Sequence, residues 1–289
     1  MTFQRTHGTS GGQLDCFRIG LLGHGIAASR TPKMHSEEGR AQGLDYSYEL
    51  IDTANDPTPV SELLDQIEAA GFSGINVTYP YKRQVMASLD VISDAAKAVG
   101  AVNTVLFRDG KRFGHNTDYS GFAESFKRGL PDAARETVLL LGAGGAGGAV
   151  ANALLDEGVQ HLRVFDVSPD TAQALVSDLT ARLGAERASQ ALDPEAAAAE
   201  AQGIVNASPV GMAKLPGLPL PRAAVRPDHW IADVVYFPLE TEFLALGRSL
   251  GCATLPGSGM ALFQAVRAFE LFSGRAADPA RMQAVFDSF

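Results

Sequence analysis

The sequence predicts an α/β fold in two units, the second a doubly wound parallel sheet. Three observations predict it. Apolar runs of strand length alternate with segments of helical periodicity. The alternation restarts after a hairpin, near Asp118, and the second unit opens on a glycine-rich turn between a strand and a helix. A chain of 289 residues, 46% of them hydrophobic, is long enough for one large domain or two ordinary ones.

Residues 1–15, "MTFQRTHGTSGGQLD", are polar and read as a flexible tail. "CFRIGLLG" follows as a buried strand, and "KMHSEEGRAQG" as a helix stopped by Gly43. "DYSYELID" alternates as a strand, "VSELLDQIEAAG" has apolar residues at helical spacing, and "SGINVTYPYK" is a short strand entering a turn at Pro80. "RQVMASLD" and "VISDAAKAVG" read as helices. "AVNTVLFRDGKRFGHNTD" reads as a hairpin turning at Asp109-Gly110. In the second unit, "TVLLLGAGGAGGAVANALLDEG" gives strand, glycine turn and helix, and "HLRVFDVS" the next strand. An Ala-rich helix from Thr171 comes next, and the stretch from Ala188 to Gln202 reads as a surface helix. "AQGIVNAS", "HWIADVVY" and "LGCATLPG" supply three more strands, and "MALFQAVRAFELFSG" is an amphipathic closing helix before a last short one.

Net charge is −9, so no basic surface advertises nucleic acid or an anionic membrane. Cys16 and Cys252 have no CxxC spacing and no Cys/His cluster, and no HExxH occurs; neither a disulfide framework nor a metal site is expected. The tail lacks the apolar core of a signal peptide, and no apolar run reaches the ~18–20 residues of a membrane span. The expectation is a cytoplasmic protein.

Gly142-x-Gly144-x-x-Gly147 follows a strand directly and opens a helix. In such a turn the first glycine makes the bend, the second lets backbone approach a pyrophosphate, and the third permits close helix–strand packing. The helix N-terminus presents amide donors to the phosphates. Gly142, Ala143, Gly144, Gly145, Ala146 and Gly147 are therefore candidates to bind a dinucleotide. The next strand ends in Asp166, at the position of a ribose-binding acid. A carboxylate accepts a hydrogen bond from a ribose 2′-hydroxyl but repels a 2′-phosphate. At about 5 Å and an effective dielectric near 20 that repulsion is roughly 3 kcal/mol per unit charge, about two decades of affinity. The following "VSPDT" offers no Arg or Lys to offset it. NAD is the expected cofactor.

Oxidation of an alcohol by such a cofactor needs a group that takes the hydroxyl proton. Lys82 and Asp118 are the candidates, beside Thr78, Asn103, Asn116 and Thr117, small polar residues able to hold a polyol. On spacing alone a lone lysine after "YPY" is more often a solvated loop residue, and the pair stays open on that evidence.

"SRTPKMH", "NVTYPYK", "AVNTV", "GHNTD", "GAGGAGGA", "NASPVGM", "DVVYFP" and "GSGMALFQA" occur in the order and approximate spacing of the shikimate/quinate dehydrogenases. The chain resembles that family from about Ile19 to its C-terminal helices. The resemblance implies a split α/β substrate-binding domain (16–117 plus 257–289) and an inserted Rossmann NAD domain (118–256), with the active site in the cleft. It implies Lys82 as acid/base paired with Asp118, and Thr78, Asn103, Tyr236 and Gln264 as substrate contacts. Asn206, Ala207, Val234 and Gly257 fall at cofactor positions. Ser29 and Thr31 fall where two hydroxyls hold the substrate carboxylate; a local ST-turn or helix cap is physically sound for Thr31 as well and compatible with that role.

Shikimate-specific members commonly read Asn-Pro at His24-Gly25, His-Ser at Ala28-Ser29 and Ser at Thr31, with a basic run beginning Asn-Arg at Asp166. The SRTP variant and the acidic ribose site instead resemble the NAD-linked quinate/shikimate dehydrogenases. The implied activity is NAD-dependent oxidation of quinate and shikimate by a monomer or homodimer, in keeping with quinate catabolism. The alternatives are an NADP-linked biosynthetic shikimate dehydrogenase, an enzyme acting on an amino-substituted ring, and a non-catalytic NAD-sensing module.

Overall fold

The computed structural model describes residues 16–288, so the tail expected over 1–15 lies outside the described residues. Two six-stranded sheets organise the chain. The first contains β1 (Cys16–Gly23), β2 (Asp45–Asp52), β3 (Gly74–Val77), β4 (Val91–Ile92), β5 (Thr104–Arg108) and β6 (Lys111–His115), in the order β2-β1-β3-β5-β6-β4. β1 runs parallel to β2 and β3, while β3, β5 and β6 alternate in direction. Helices α1 (Thr31–Ala41), α2 (Val60–Ala69) and α3 (Asp94–Val99) join these strands.

Helix α4 (Thr117–Gly129) leads into the second sheet: β7 (Thr137–Leu141), β8 (His161–Phe165), β9 (Ala188–Gln190), β10 (Gly203–Asn206), β11 (Trp230–Asp233) and β12 (Ala253–Leu255). All are parallel, in the order β12-β11-β10-β7-β8-β9. That is the doubly wound order, whose switch point lies between β7 and β10. The strands are connected by α5 (Gly145–Asp156), α6 (Pro169–Leu183), α7 (Pro194–Glu200) and α8 (Glu242–Leu250). The chain ends in α9 (Gly257–Ser273) and α10 (Pro279–Phe286). β7 and β10 are fully buried "VLLL" and "GIVN" runs, as strands covered on both faces must be.

The apolar core follows the two sheets. Leu22, Leu64, Ile75 and Val105 pack behind the first. Phe126, Val138, Leu154, Val205 and Trp230 pack on one face of the second. Phe269 and Phe272 of α9 return to Ile19 and Tyr46, so the C-terminal helices close over the first sheet.

Three expectations are corrected. Ala188 to Gln202 is not one helix: Ala188 pairs with Leu162 as an edge strand, and α7 starts only after Asp193, whose carboxylate accepts from the Glu195 and Ala196 amides. "VISDAAKAVG" begins as the two-residue β4 beside β6, and the Ser93 cap delays the helix to Asp94. "RQVMASLD" forms only a short 3₁₀ turn, Gln84–Ser88. No helix among the described residues is long and apolar enough to cross a membrane.

Candidate active site

A cleft of about 700 Å³ lies between the two sheets, at the C-terminal ends of β1 and β3 on one side and of β10 and β11 on the other. From the first sheet it takes the loop after β1, the end of β3 and the turn that follows. Across the gap stand the first turn of α5 and the loops after β10 and β11, and α4 and α9 form the back wall. Among the sequence-predicted residues, Ser29, Thr31, Thr78, Lys82, Asn103, Asp118, Ala146, Ala207, Val234, Tyr236, Gly257 and Gln264 line this one cavity. Gly142, Ala143, Gly144, Gly145, Gly147, Asp166 and Asn206 lie outside its lining.

Lys82 Nζ donates to Asp118 Oδ2 at 2.6 Å, with side chains 24% and 7% exposed. The lysine comes from the turn after β3 and the aspartate from the first turn of α4, where an acid complements the helix dipole. Asn116 caps that helix, its Oδ1 accepting from the Tyr119 amide. Asn103 is held rigidly beside the pair. Its Oδ1 accepts from the Thr117 amide (2.7 Å) and from Thr104 Oγ1 (3.0 Å), and its Nδ2 donates to Thr117 Oγ1 (3.0 Å). An amide nitrogen carries two hydrogens, so one remains for a ligand in the cleft.

Behind this layer Asn76 donates to Thr104 Oγ1 and to the Asn103 carbonyl, and accepts from the Tyr48 hydroxyl at 2.8 Å. Burial pushes the Tyr236 phenol up and the Asp118 charge adds to it, while Lys82 and Arg30 oppose it. The residue as a whole is 40% exposed.

At the other end of the cleft, Ser29 rather than Thr31 makes the local turn: its Oγ accepts from the Thr31 amide at 3.3 Å. The cap of α1 is Arg30, with no side-chain cap bond, and Thr31 is the first helical residue. The capping role read for Thr31 is thereby corrected, because Pro32 in the first turn starts the helix without it. The Ser29 hydroxyl retains its proton for a ligand. Among the lining residues that escaped the sequence reading as site residues are four polar ones: Asn76, His24, Arg30 and Ser208. Asn76 stood in the quoted "NVTYPYK" and Arg30 in "SRTP"; their spacing signalled nothing further.

The nucleotide side is built mostly from backbone. Gly142 has φ +101°, and a Cβ there would meet the Ala207 carbonyl carbon and Ser208 nitrogen at 2.8 Å. A Cβ on Gly147 would collide with the Gly142 carbonyl oxygen. Gly144 and Gly145 have open space where a side chain would stand, and no side chain caps the α5 amides. Asp166, just past β8, accepts from the Ala143 amide (2.8 Å) and the Ser168 amide (2.9 Å). Free helix amides, an open glycine edge and a carboxylate at the second strand fit a dinucleotide with its pyrophosphate on α5.

A doubly wound sheet with such a turn, facing a Lys–Asp pair across one cleft, defines an oxidoreductase that uses a nicotinamide dinucleotide. The family model described as "Shikimate dehydrogenase substrate binding domain" matches residues 21–105. A shikimate dehydrogenase (NADP(+)) from Streptomyces avermitilis is 50% identical over 276 residues, 93% of this chain and 94% of the relative. A quinate/shikimate dehydrogenase (NAD(+)) from Corynebacterium efficiens is 46% identical over 278 residues, covering 94% and 98%. The solved quinate dehydrogenase from Corynebacterium glutamicum in complex with NAD superposes with a TM-score of 0.91 at 44% identity, covering 95% of this chain and all of that one. The chain belongs to the shikimate/quinate dehydrogenase family.

Proposed function

We propose that the protein oxidises quinate to 3-dehydroquinate and shikimate to 3-dehydroshikimate with NAD, reversibly. The observation that carries the reading is the buried Lys82–Asp118 contact inside a cavity that also reaches the N-terminal turn of α5. When bound, the nicotinamide cofactor would supply the acceptor for the hydride that leaves the carbinol carbon. Lys82 Nζ, as the free amine, takes the hydroxyl proton as the C–O bond becomes C=O, and as the ammonium returns it in the reverse direction. Asp118 Oδ2 holds Nζ toward the cleft. Oxidation releases one proton overall, so rising pH draws the reaction toward the ketone.

Ser29 and Thr31 present two hydroxyl donors to the ring carboxylate, and Thr78, Asn103, Tyr236 and Gln264 take the remaining ring oxygens. The glycine turn from Gly142 to Gly147, with Asn206, Ala207, Val234 and Gly257, receives the cofactor. Residues 16–117 with 257–289 form the substrate domain and 118–256 the nucleotide domain. Asp166 supports NAD: its carboxylate is anchored in the turn, where a 2′-hydroxyl donates to it and a 2′-phosphate is repelled. The NADP name of the Streptomyces relative favours a second reading, reduction of 3-dehydroshikimate with NADPH. Steady-state turnover of quinate and shikimate with each cofactor separates them. Turnover of both acids with NAD supports the proposal; turnover of shikimate alone, and only with NADP, replaces it with the second reading.

A further inference from the structure

We infer that Asp233 is a positioning residue whose buried carboxylate locks the loops after β10 and β11 into the wall that receives the nicotinamide end of the cofactor. The inference rests on the cofactor site proposed above. Asp233 ends β11, is 2% exposed, and stands opposite Asn206 in the parallel β10–β11 register. Its Oδ1 accepts from Asn206 Nδ2 (2.9 Å) and the Val235 amide (3.0 Å), and its Oδ2 from Thr241 Oγ1 (2.7 Å).

Each bond leads into the cleft wall or its frame. Asn206, itself fully buried, passes the constraint on: its Nδ2 also donates to the Val210 carbonyl, and its Oδ1 accepts from the Ser208 amide and hydroxyl. Thr241 caps α8 and so fixes the far end of the second loop. Ala207, Ser208, Val234 and Val235, on the two loops, all line the cavity.

The loops are wedged from both sides. Ala207 and Ser208 lie 2.8 Å from where a Cβ on Gly142 would stand, and the Val234 carbonyl oxygen 2.5 Å from where one on Gly257 would stand. A small displacement at β10 or β11 is therefore transmitted to the dinucleotide cradle and to the start of α9. Three neutral donors satisfy the carboxylate, and burial pushes it up to about 6. Holding a charge in so dry a place is costly, and no neutral side chain of this size accepts on both of its terminal atoms.

The test uses the full chain with Asp233→Ala, Asp233→Asn and Thr241→Val. Calorimetry reads the Kd of NAD or NADP, whichever the wild type binds more tightly, and separately the Kd of shikimate without cofactor; Tm reports folding. Asp233→Ala should weaken the cofactor roughly ten- to a hundredfold, with shikimate within about twofold. Asp233→Asn, which keeps one acceptor, should recover most of the loss. Thr241→Val, which removes the Oδ2 donor together with the side-chain cap of α8, should weaken the cofactor about three- to tenfold and serves if Asp233→Ala does not fold. A merely structural role would lower Tm and leave both affinities of the folded fraction unchanged. Unchanged cofactor binding in the folded variants, or parallel weakening of both ligands, overturns the inference alone. A wild type that binds neither cofactor overturns the cofactor-site reading with it.

Discussion

The two sides of the cleft are built in opposite ways. On the substrate side, polar side chains from distant segments meet in one hydrogen-bonded layer of Tyr48, Asn76, Thr104, Asn103 and Thr117, with the Lys82–Asp118 ion pair beside it in the cleft. On the nucleotide side the work falls to backbone, with glycines clearing space and one carboxylate marking the second strand. A network of side chains fails when a functional group is removed. A glycine cradle has the opposite sensitivity, since a single methyl group fills it. Substitutions on the two sides should therefore fail differently.

The largest effect is expected at Lys82. Lys82→Ala should lower kcat by roughly 10²–10⁴-fold, the usual size of general acid–base help, with a smaller change in cofactor affinity. Near-normal kcat would remove the lysine from the chemistry. Gly147→Ala is the mirror case. Its methyl meets the Gly142 carbonyl, so cofactor affinity should fall at least about tenfold while shikimate binding without cofactor is preserved. Equal loss of both ligands would mean that the two sides are not separable.

The contrast also explains what could be read from the sequence. The glycine turn and Asp166 were visible because backbone chemistry is local: the turn, the helix and the next strand follow one another within 25 residues. The substrate side has no such local record. Lys82 and Asp118 are 36 residues apart and meet only because antiparallel pairing of β3, β5 and β6 brings the turn after Val77 to the start of α4. Spacing left that pair open, and only the resemblance to a family singled it out. Tyr48 and Asn76 were unreadable for the same reason: they meet from β2 and β3, strands that flank β1 in the sheet and lie far apart in sequence. Element boundaries failed where a cap outweighed propensity, as at Asp193, which splits an Ala-rich stretch into a strand and a helix.

The substrate side should also be the more acid-sensitive. His35 of α1 is fully buried among Tyr46, Tyr48 and Phe269, with Nδ1 on the Tyr46 hydroxyl, and burial lowers it to about 3. Its Nε2 makes no hydrogen bond within normal geometry, although the Ala265 backbone lies near enough to offset part of the burial effect. The unfolded chain binds a proton at this residue below about 6.5 and the native chain does not. Stability from this site is therefore full above that pH and is lost as pH falls toward 3, by about 1.4 kcal/mol per unit. Urea midpoints between pH 7 and 4 should fall less steeply in His35→Phe than in the wild type; parallel slopes would show that the imidazole titrates alike in the native and unfolded states and that burial does not hold it neutral.

The smallest effect is expected at Thr31. Quinate differs from shikimate by saturation and one hydroxyl at the carbon bearing the carboxylate, nearest Ser29 and Thr31 in the proposed pose. The threonine methyl restricts the rotamer of its hydroxyl, so Thr31→Ser should shift the kcat/KM ratio modestly toward shikimate, within the roughly 1–3 kcal/mol that shape alone supplies. An unchanged ratio would remove Thr31 as a selectivity element.

The most direct test of the NAD reading is kcat/KM for NAD and for NADP, measured with shikimate in the wild type and in Asp166→Asn. Removing the charge leaves the 2′-hydroxyl a hydrogen-bonding partner but abolishes the repulsion of a 2′-phosphate, which is worth about two decades. The wild type should prefer NAD by on the order of a hundredfold, and the variant should lose most of that preference. A wild type that uses NADP as efficiently as NAD, or an Asp166→Asn variant with the preference intact, would contradict the role given to this carboxylate.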